Sequence, residues 1–122
     1  MADKWQAIDQ FFNSFGLTAY DERGVPEGVS VPYITYNAPI AKFEQPVTFS
    51  ASIWYRSSSW REISQKADEI AQSLKGFKIL PVDGGYLFMV AGSPFAQRMV
   101  EPGDDMIKRM YILIESEFLT EV

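Results

Sequence analysis

From Val47 to Arg56 the chain alternates without a break. Val47, Phe49, Ala51, Ile53 and Tyr55 fall on one side, and Thr48, Ser50, Ser52, Trp54 and Arg56 on the other. A period of two sends successive side chains to opposite faces of a strand, so one face is apolar and the other mostly hydroxyl-bearing. Such a strand belongs in an antiparallel sheet that is covered on one side only. The cover is encoded next. After Ser57-Ser58-Ser59, the residues Trp60, Ile63, Ala67, Ile70, Ala71 and Leu74 recur at helical spacing, while Arg61, Glu62, Lys66, Asp68, Glu69 and Gln72 lie elsewhere. Ser59 and Glu62 have the spacing of a capping box, and Gly76 offers a left-handed stop. The small Ala67 and Ala71 predict close packing on the sheet.

The remaining elements follow from the same signals. Asp3 and Gln6 have capping-box spacing ahead of Trp5, Ile8, Phe12 and Phe15, with Phe11 beside them and Gly16 as a stop. This predicts a first helix docked through one apolar face. Leu17 to Tyr20 reads as a short strand, Asp21 to Ser30 as a polar loop, and Pro32 to Tyr36 as a strand. Asn37 to Pro46 is a second loop, carrying Ile40 and Phe43. Phe77 to Val82 and Tyr86 to Ala91 flank Asp83-Gly84-Gly85, a hairpin signal in which the glycines supply positive φ. Ile107 to Leu119 is the last strand. Gly92 to Met106 shows no pattern of its own and reads as a long loop with apolar groups, Phe95, Met99, Val100 and Met106, left to place. Helices and antiparallel strands in this order predict one α+β domain over residues 1–122, a mostly antiparallel sheet with two helices packed on one face.

The sequence offers little for chemistry. It has no histidine and no cysteine, which removes Ser-His and Cys-His pairs, disulfides, and zinc sites of the thiolate or imidazole kind. Asp21-Glu22 and Asp104-Asp105 are the acidic pairs a Mg²⁺ ion or acid–base step could use. Both lie among glycines and prolines, where solvated charge is the commoner outcome. Asp83-Gly84-Gly85 lacks the frame of a phosphate loop, Ser57-Ser58-Ser59 has no base beside it, and Gly92-Ser93-Pro94 is no nucleophile elbow. No catalytic residue, cofactor or metal is therefore expected. The net charge of −5, with 16 acidic and 11 scattered basic residues, does not suit tight nucleic-acid binding. No apolar run is long enough for a membrane span, and the first residues enter an amphipathic pattern directly, so a soluble cytosolic product is expected. Aromatics at 15% are abundant for so short a chain, enough to fill a core and leave rings for a partner.

The run Ser52-Ile53-Trp54-Tyr55-Arg56-Ser57-Ser58-Ser59-Trp60-Arg61-Glu62-Ile63, with Ala67-Asp68-Glu69-Ile70 after it, resembles tail-terminator or tail-completion proteins of long-tailed bacteriophages and prophages. Pro32-Tyr33-Ile34-Thr35-Tyr36 is similar too, as is the closing stretch from Pro94-Phe95 through Ile107-Lys108-Arg109 to Glu117-Phe118. The likeness covers most of the chain and lies in aromatic and helical positions, not in a catalytic fingerprint. It implies a non-enzymatic subunit, made in the bacterial cytoplasm, that belongs to the head-proximal end of the virion tail. There it would form a ring, commonly a hexamer, alone or only on a tail-tube template. The ring would stop tube polymerisation, meet the major tail tube protein on one side and a head–tail connector or neck protein on the other, and let DNA pass without sequence-specific binding.

A closed ring joins two different patches of one chain. The composition of the 92–106 segment nominates Phe95, Gln97, Arg98, Met99, Val100 and Glu101 as one patch, and Ile40 and Phe43 as the other. Rival expectations are another neck or tube component, a small metal-dependent hydrolase using Asp or Glu, and a binding module with a small ligand against the sheet.

Overall fold

The computed structural model describes residues 2–120. Two helices and six strands follow one another as α1 (Lys4–Phe12), β1 (Ala19–Asp21), β2 (Tyr33–Asn37), β3 (Pro46–Arg56), α2 (Arg61–Ser73), β4 (Lys78–Val82), β5 (Gly85–Met99) and β6 (Ile107–Thr120). The strands form one sheet in the order β1-β2-β3-β6-β5-β4. Only β1 and β2 run parallel; every other neighbouring pair is antiparallel. The fold class is α+β.

α1 starts as its sequence dictates. The Asp3 carboxylate accepts from the Gln6 amide at 2.8 Å, and the Gln6 side chain accepts from the Asp3 amide at 3.0 Å. These bonds satisfy two of the amides that a helix leaves free at its start. The last turn tightens into a 3₁₀ turn over Asn13–Phe15 and stops at Gly16, whose φ is 82°. The buried face is Ala7, Ile8, Phe11, Phe12 and Phe15. Trp5, placed in that face by simple periodicity, is 54% exposed. It lies only three residues before Ile8, but on the flank opposite Phe11 and Ala7.

α2 buries Ile63, Ala67, Ile70 and Leu74, as its stripe predicts. Its capping differs from expectation. The helix begins at Arg61 after Trp60, and the Ser59 hydroxyl accepts from the Arg61 amide at 3.0 Å without a reciprocal bond from Glu62. Gly76 carries the predicted left-handed φ, 77°.

Both helices lie on the same side of the sheet. Phe12 of α1 stacks on Tyr36 at 4.8 Å, and Tyr36 stands opposite Ala51, on the face that also carries Phe49 and Ile53. Those residues share one buried cluster with Ile63, Ala67 and Ile70 of α2 and with Met110, Ile112, Ile114 and Phe118 of β6. Val47 and Tyr55 extend this face half-buried. The alternation in β3 is thus realised as an apolar side under helices and a hydroxyl-bearing side that no described helix covers.

The 38–45 loop folds back under the same core. Phe43 meets Phe118 edge-on at 6.4 Å, and the Glu44 carboxylate accepts from the Thr120 hydroxyl at 2.7 Å and from its amide at 3.0 Å. Those bonds hold the Glu44 carboxyl below its usual range.

Two expectations about the second half are corrected. The 92–106 segment is not a long loop: β5 continues to Met99, and only residues 100–106 connect it to β6. What broke the sequence pattern is a bulge. Ala91 pairs with Ile114 and Ala96 with Ile112, so Gly92, Ser93, Pro94 and Phe95 together face Leu113. A side chain on Gly92 would meet the Leu113 carbonyl oxygen at 2.8 Å. In the β4–β5 turn, Gly84 has φ 85°, but Gly85 is needed for space, since a Cβ there would lie 1.9 Å from the Leu119 carbonyl oxygen.

The burial pattern makes a direct prediction. Phe118→Ala removes a fully buried ring and should cost about 3–5 kcal/mol in urea unfolding. Trp5→Ala should cost roughly less than 1 kcal/mol, because that ring is half exposed.

Candidate interaction surface

β5 and β6 continue past the bulge as a ribbon backed by β3, and β3 pairs with β6 as far as Arg56 opposite Ile107. β4 pairs with β5 only up to Met89, so beyond that point β5 has a strand on one side only. The structure gathers five of the nominated residues at the end of this ribbon. Gln97 and Arg98 are exposed, Met99 and Glu101 are half-buried, and Val100 stands almost wholly in solvent. The other three lie elsewhere. Phe95 packs at the bulge against the core, and Ile40 and Phe43 pack against the core from the 38–45 loop. The ammonium of Lys4 sits 4.1 Å above the Phe43 ring, which explains how that ring is occupied within its own chain.

The tip of the ribbon is anchored. Arg109 reaches Glu101 at 3.2 Å, and Arg56 reaches Asp104 at 2.8 Å. Asp104 also accepts from the Met106 amide at 2.9 Å. Its carboxyl is held below the usual range, first by that amide and then by Arg56. Lys108 donates to the carbonyl of Asp105. On the helix side, the guanidinium of Arg98 lies 5.2 Å and the ammonium of Lys108 5.6 Å from the centre of the Trp60 ring. The other acidic pair is engaged as well: Asp21 holds Arg23 at 3.1 Å, and that hydrogen bond lowers its pKa. Among the described residues, no three acidic, histidine or cysteine side chains converge as a metal site.

The bare face of the sheet has two halves. One is polar and aromatic. The Trp54 indole donates to the Thr35 hydroxyl at 3.0 Å, and Arg109 donates to the Ser52 hydroxyl at 2.9 Å while lying 5.0 Å from the Trp54 ring and 5.9 Å from Tyr111. Tyr33 meets Trp54 at 6.3 Å and Tyr20 at 5.9 Å. These contacts pair the Trp54 indole and the Thr35 and Ser52 hydroxyls within the chain. The other half, on β4 and β5, is apolar. Ile79 stands opposite Phe88 and Pro81 opposite Tyr86, and Phe77 stacks on Phe88 at 5.7 Å. Phe77, Ile79 and Tyr86 are 58%, 47% and 41% exposed, which makes this the broadest group of exposed large apolar side chains among the described residues.

Sequence patterning did not single out that patch. A usable signal existed, since Phe77, Ile79 and Pro81 alternate with Lys78, Leu80 and Val82, so the strand is apolar on both faces while one face alone can meet the helices.

A groove of about 370 Å³ lies between α1 and β4, lined by Ala7, Gln10, Phe11, Ser14, Lys78 and Leu80. Lys78 is the one ionisable group among its lining residues, so it presents no acid–base pair.

The Asp104 turn carries a pH dependence with a definite sign. Its folded pKa lies below the ordinary value of 3.8, so the stabilisation is complete above that value and is lost as pH falls through the lowered one. Protection of the Met106 and Ile107 amides, measured against their intrinsic exchange rates, should therefore fall in acid below about pH 4, and Arg56→Ala should reproduce part of the fall at neutral pH. The sequence matches no family model, and no curated protein matches it.

Proposed function

We propose that this protein is an assembly subunit of a long-tailed phage tail, one that closes the head-proximal end of the tail tube as a ring. The assignment to the tail rests on the resemblance of the 52–63 and 67–70 runs and of the closing strand to tail-terminator proteins. The observation that carries the assembly role is the distribution of apolar surface. Exposed apolar groups stand at two separate places, the Phe77–Ile79–Tyr86 patch and the ribbon tip at Val100 and Met106, on a sheet with one bare face. Contiguous apolar surface of this kind marks a partner site. Two different patches on one chain suit a heterologous contact, which closes into a ring when the rotation allows.

In this reading the protein works by geometry. A rigid sheet sets the angle between successive subunits, one rim of the ring receives the last layer of tube protein, and the other rim receives the neck. The net charge of −5 suits a lumen through which DNA slides without being held.

The test is electron microscopy of particles from the phage or prophage that encodes the protein, with the gene deleted. Headless tails of abnormal length are the expected result. Detached heads beside tails of normal length would move the protein to a joining step after termination. Intact virions would overturn the assignment.

A further inference from the structure

The exposed apolar side chains of β4 and β5 and those of the ribbon tip lie at opposite ends of the β5–β6 ribbon. Tyr86 stands opposite Leu119 and Met99 opposite Arg109, ten residues apart on β6, or roughly 33 Å at the rise of an extended strand. The tip cannot fold back to cover the patch, because Arg109–Glu101 and Arg56–Asp104 tie it to the sheet. Each chain therefore presents one of each, both uncovered.

We infer that the ribbon tip, Val100 and Met106, seats on the Phe77–Ile79–Tyr86 patch of a second copy of this chain, joining copies head to tail. The inference rests on the ring reading and names the contact that builds the ring. Charge selects this pairing over a two-fold one. On the bare face, Glu115 and Glu117 stand opposite Val90 and Phe88 beside the patch, and neither has a cationic partner among the described residues. At the tip, Arg98 and Lys108 form no ion pair among the described residues, against the one carboxylate of Asp105 in the same condition, so the tip has a positive excess where the patch has a negative one. Tip against patch places unlike charges at the rim of an apolar contact, whereas patch against patch places four carboxylates together.

The sheet edges point the same way. The β1 edge is closed by the Asn13 side chain, which accepts from the Ala19 amide at 2.9 Å and donates to its carbonyl at 3.4 Å, and by a turn from the Gly24 amide to the Asp21 carbonyl at 2.8 Å. The β4 edge carries Pro81, which has no amide hydrogen to offer another strand. β5 beyond Met89 keeps an open edge, and that edge leads to the ribbon tip.

The chain has no cysteine, so engineered thiols report this contact without background. Val100→Cys and Ile79→Cys would be introduced in separately tagged copies, mixed and oxidised, both as concentrated protein and in tails rebuilt with the variants. The expected product is the cross-link between unlike variants in at least one of the two settings, with self-cross-links of either variant minor. Glu115→Lys with Glu117→Lys should abolish the unlike product, and adding Arg98→Glu with Lys108→Glu should restore it. Self-cross-links dominating, or no cross-link in either setting, would overturn the contact. The two failures are separable. Overgrown tails on deletion without the cross-link leave the terminator reading standing and remove this contact. A cross-link together with normal deletion virions leaves the contact standing and removes the terminator reading.

Discussion

β6 runs through the interior of the sheet with a strand on each side for most of its length. β3 pairs with it from Glu117 to Ile107 without a break, and β5 pairs with it from Thr120 to Arg109 with one interruption. A strand satisfied on both sides cannot tilt or slide alone, since a shift of one residue would send every apolar side chain to the wrong face. Met110, Ile112, Ile114 and Phe118 are thereby fixed under the helices. The same pairing fixes the outer face and carries the ribbon tip at a set distance from the core. Core, bare face and tip thus share one mechanical reference.

Two helices and one returning loop suffice to cover one side of this sheet. α1 lies over the β1 and β4 ends, α2 over β3, β5 and β6, and Phe43 closes the bottom beside Phe118. Nothing in the described chain is left for the other side. Half of that side is made compatible with water through its own hydrogen bonds, Trp54 to Thr35 and Arg109 to Ser52. The β4–β5 half has no such device. The apolar half is the area that the proposed subunit contact would cover, whereas the polar half has its Trp54, Thr35 and Ser52 groups paired within the chain.

Much of this architecture was legible in the sequence because its signals are local. The alternation from Val47 to Arg56, the Asp3–Gln6 cap, the stripe from Ile63 to Leu74 and the turn at Asp83-Gly84 each depend on neighbours within a few residues. Strand order was not legible, because the placement of β6 between β3 and β5 is decided by pairing across the whole chain. The outer half of β5 was hidden by Gly92-Ser93-Pro94, whose turn chemistry looks like the end of a strand and is in fact an interruption within one. For the candidate surface, Val100 and its neighbours showed themselves as apolar groups without a pattern. Phe77, Ile79 and Tyr86 did not, since only the topology tells which side of their hairpin the helices occupy. Ile40 and Phe43 read in sequence as a second partner patch, because a loop hides which of its apolar groups turn inward, and the structure packs both against the core.

The bulge in β5 has a consequence for how this chain can change length. Four residues, Gly92 to Phe95, stand opposite Leu113 alone, an excess of three. Before the bulge the odd-numbered residues Leu87, Met89 and Ala91 face the helices; after it the even-numbered Ala96 and Arg98 do. The pairing with β6, and not the count along β5, sets which side each residue takes, which is how an odd excess leaves Ala96 and Arg98 in phase with Leu87 and Met89. A residue gained or lost among Gly92 to Phe95 can therefore be taken up in the bulge while Gln97, Arg98 and Met99 keep their sides. The bulge is the place where β5 can change length without moving the ribbon tip.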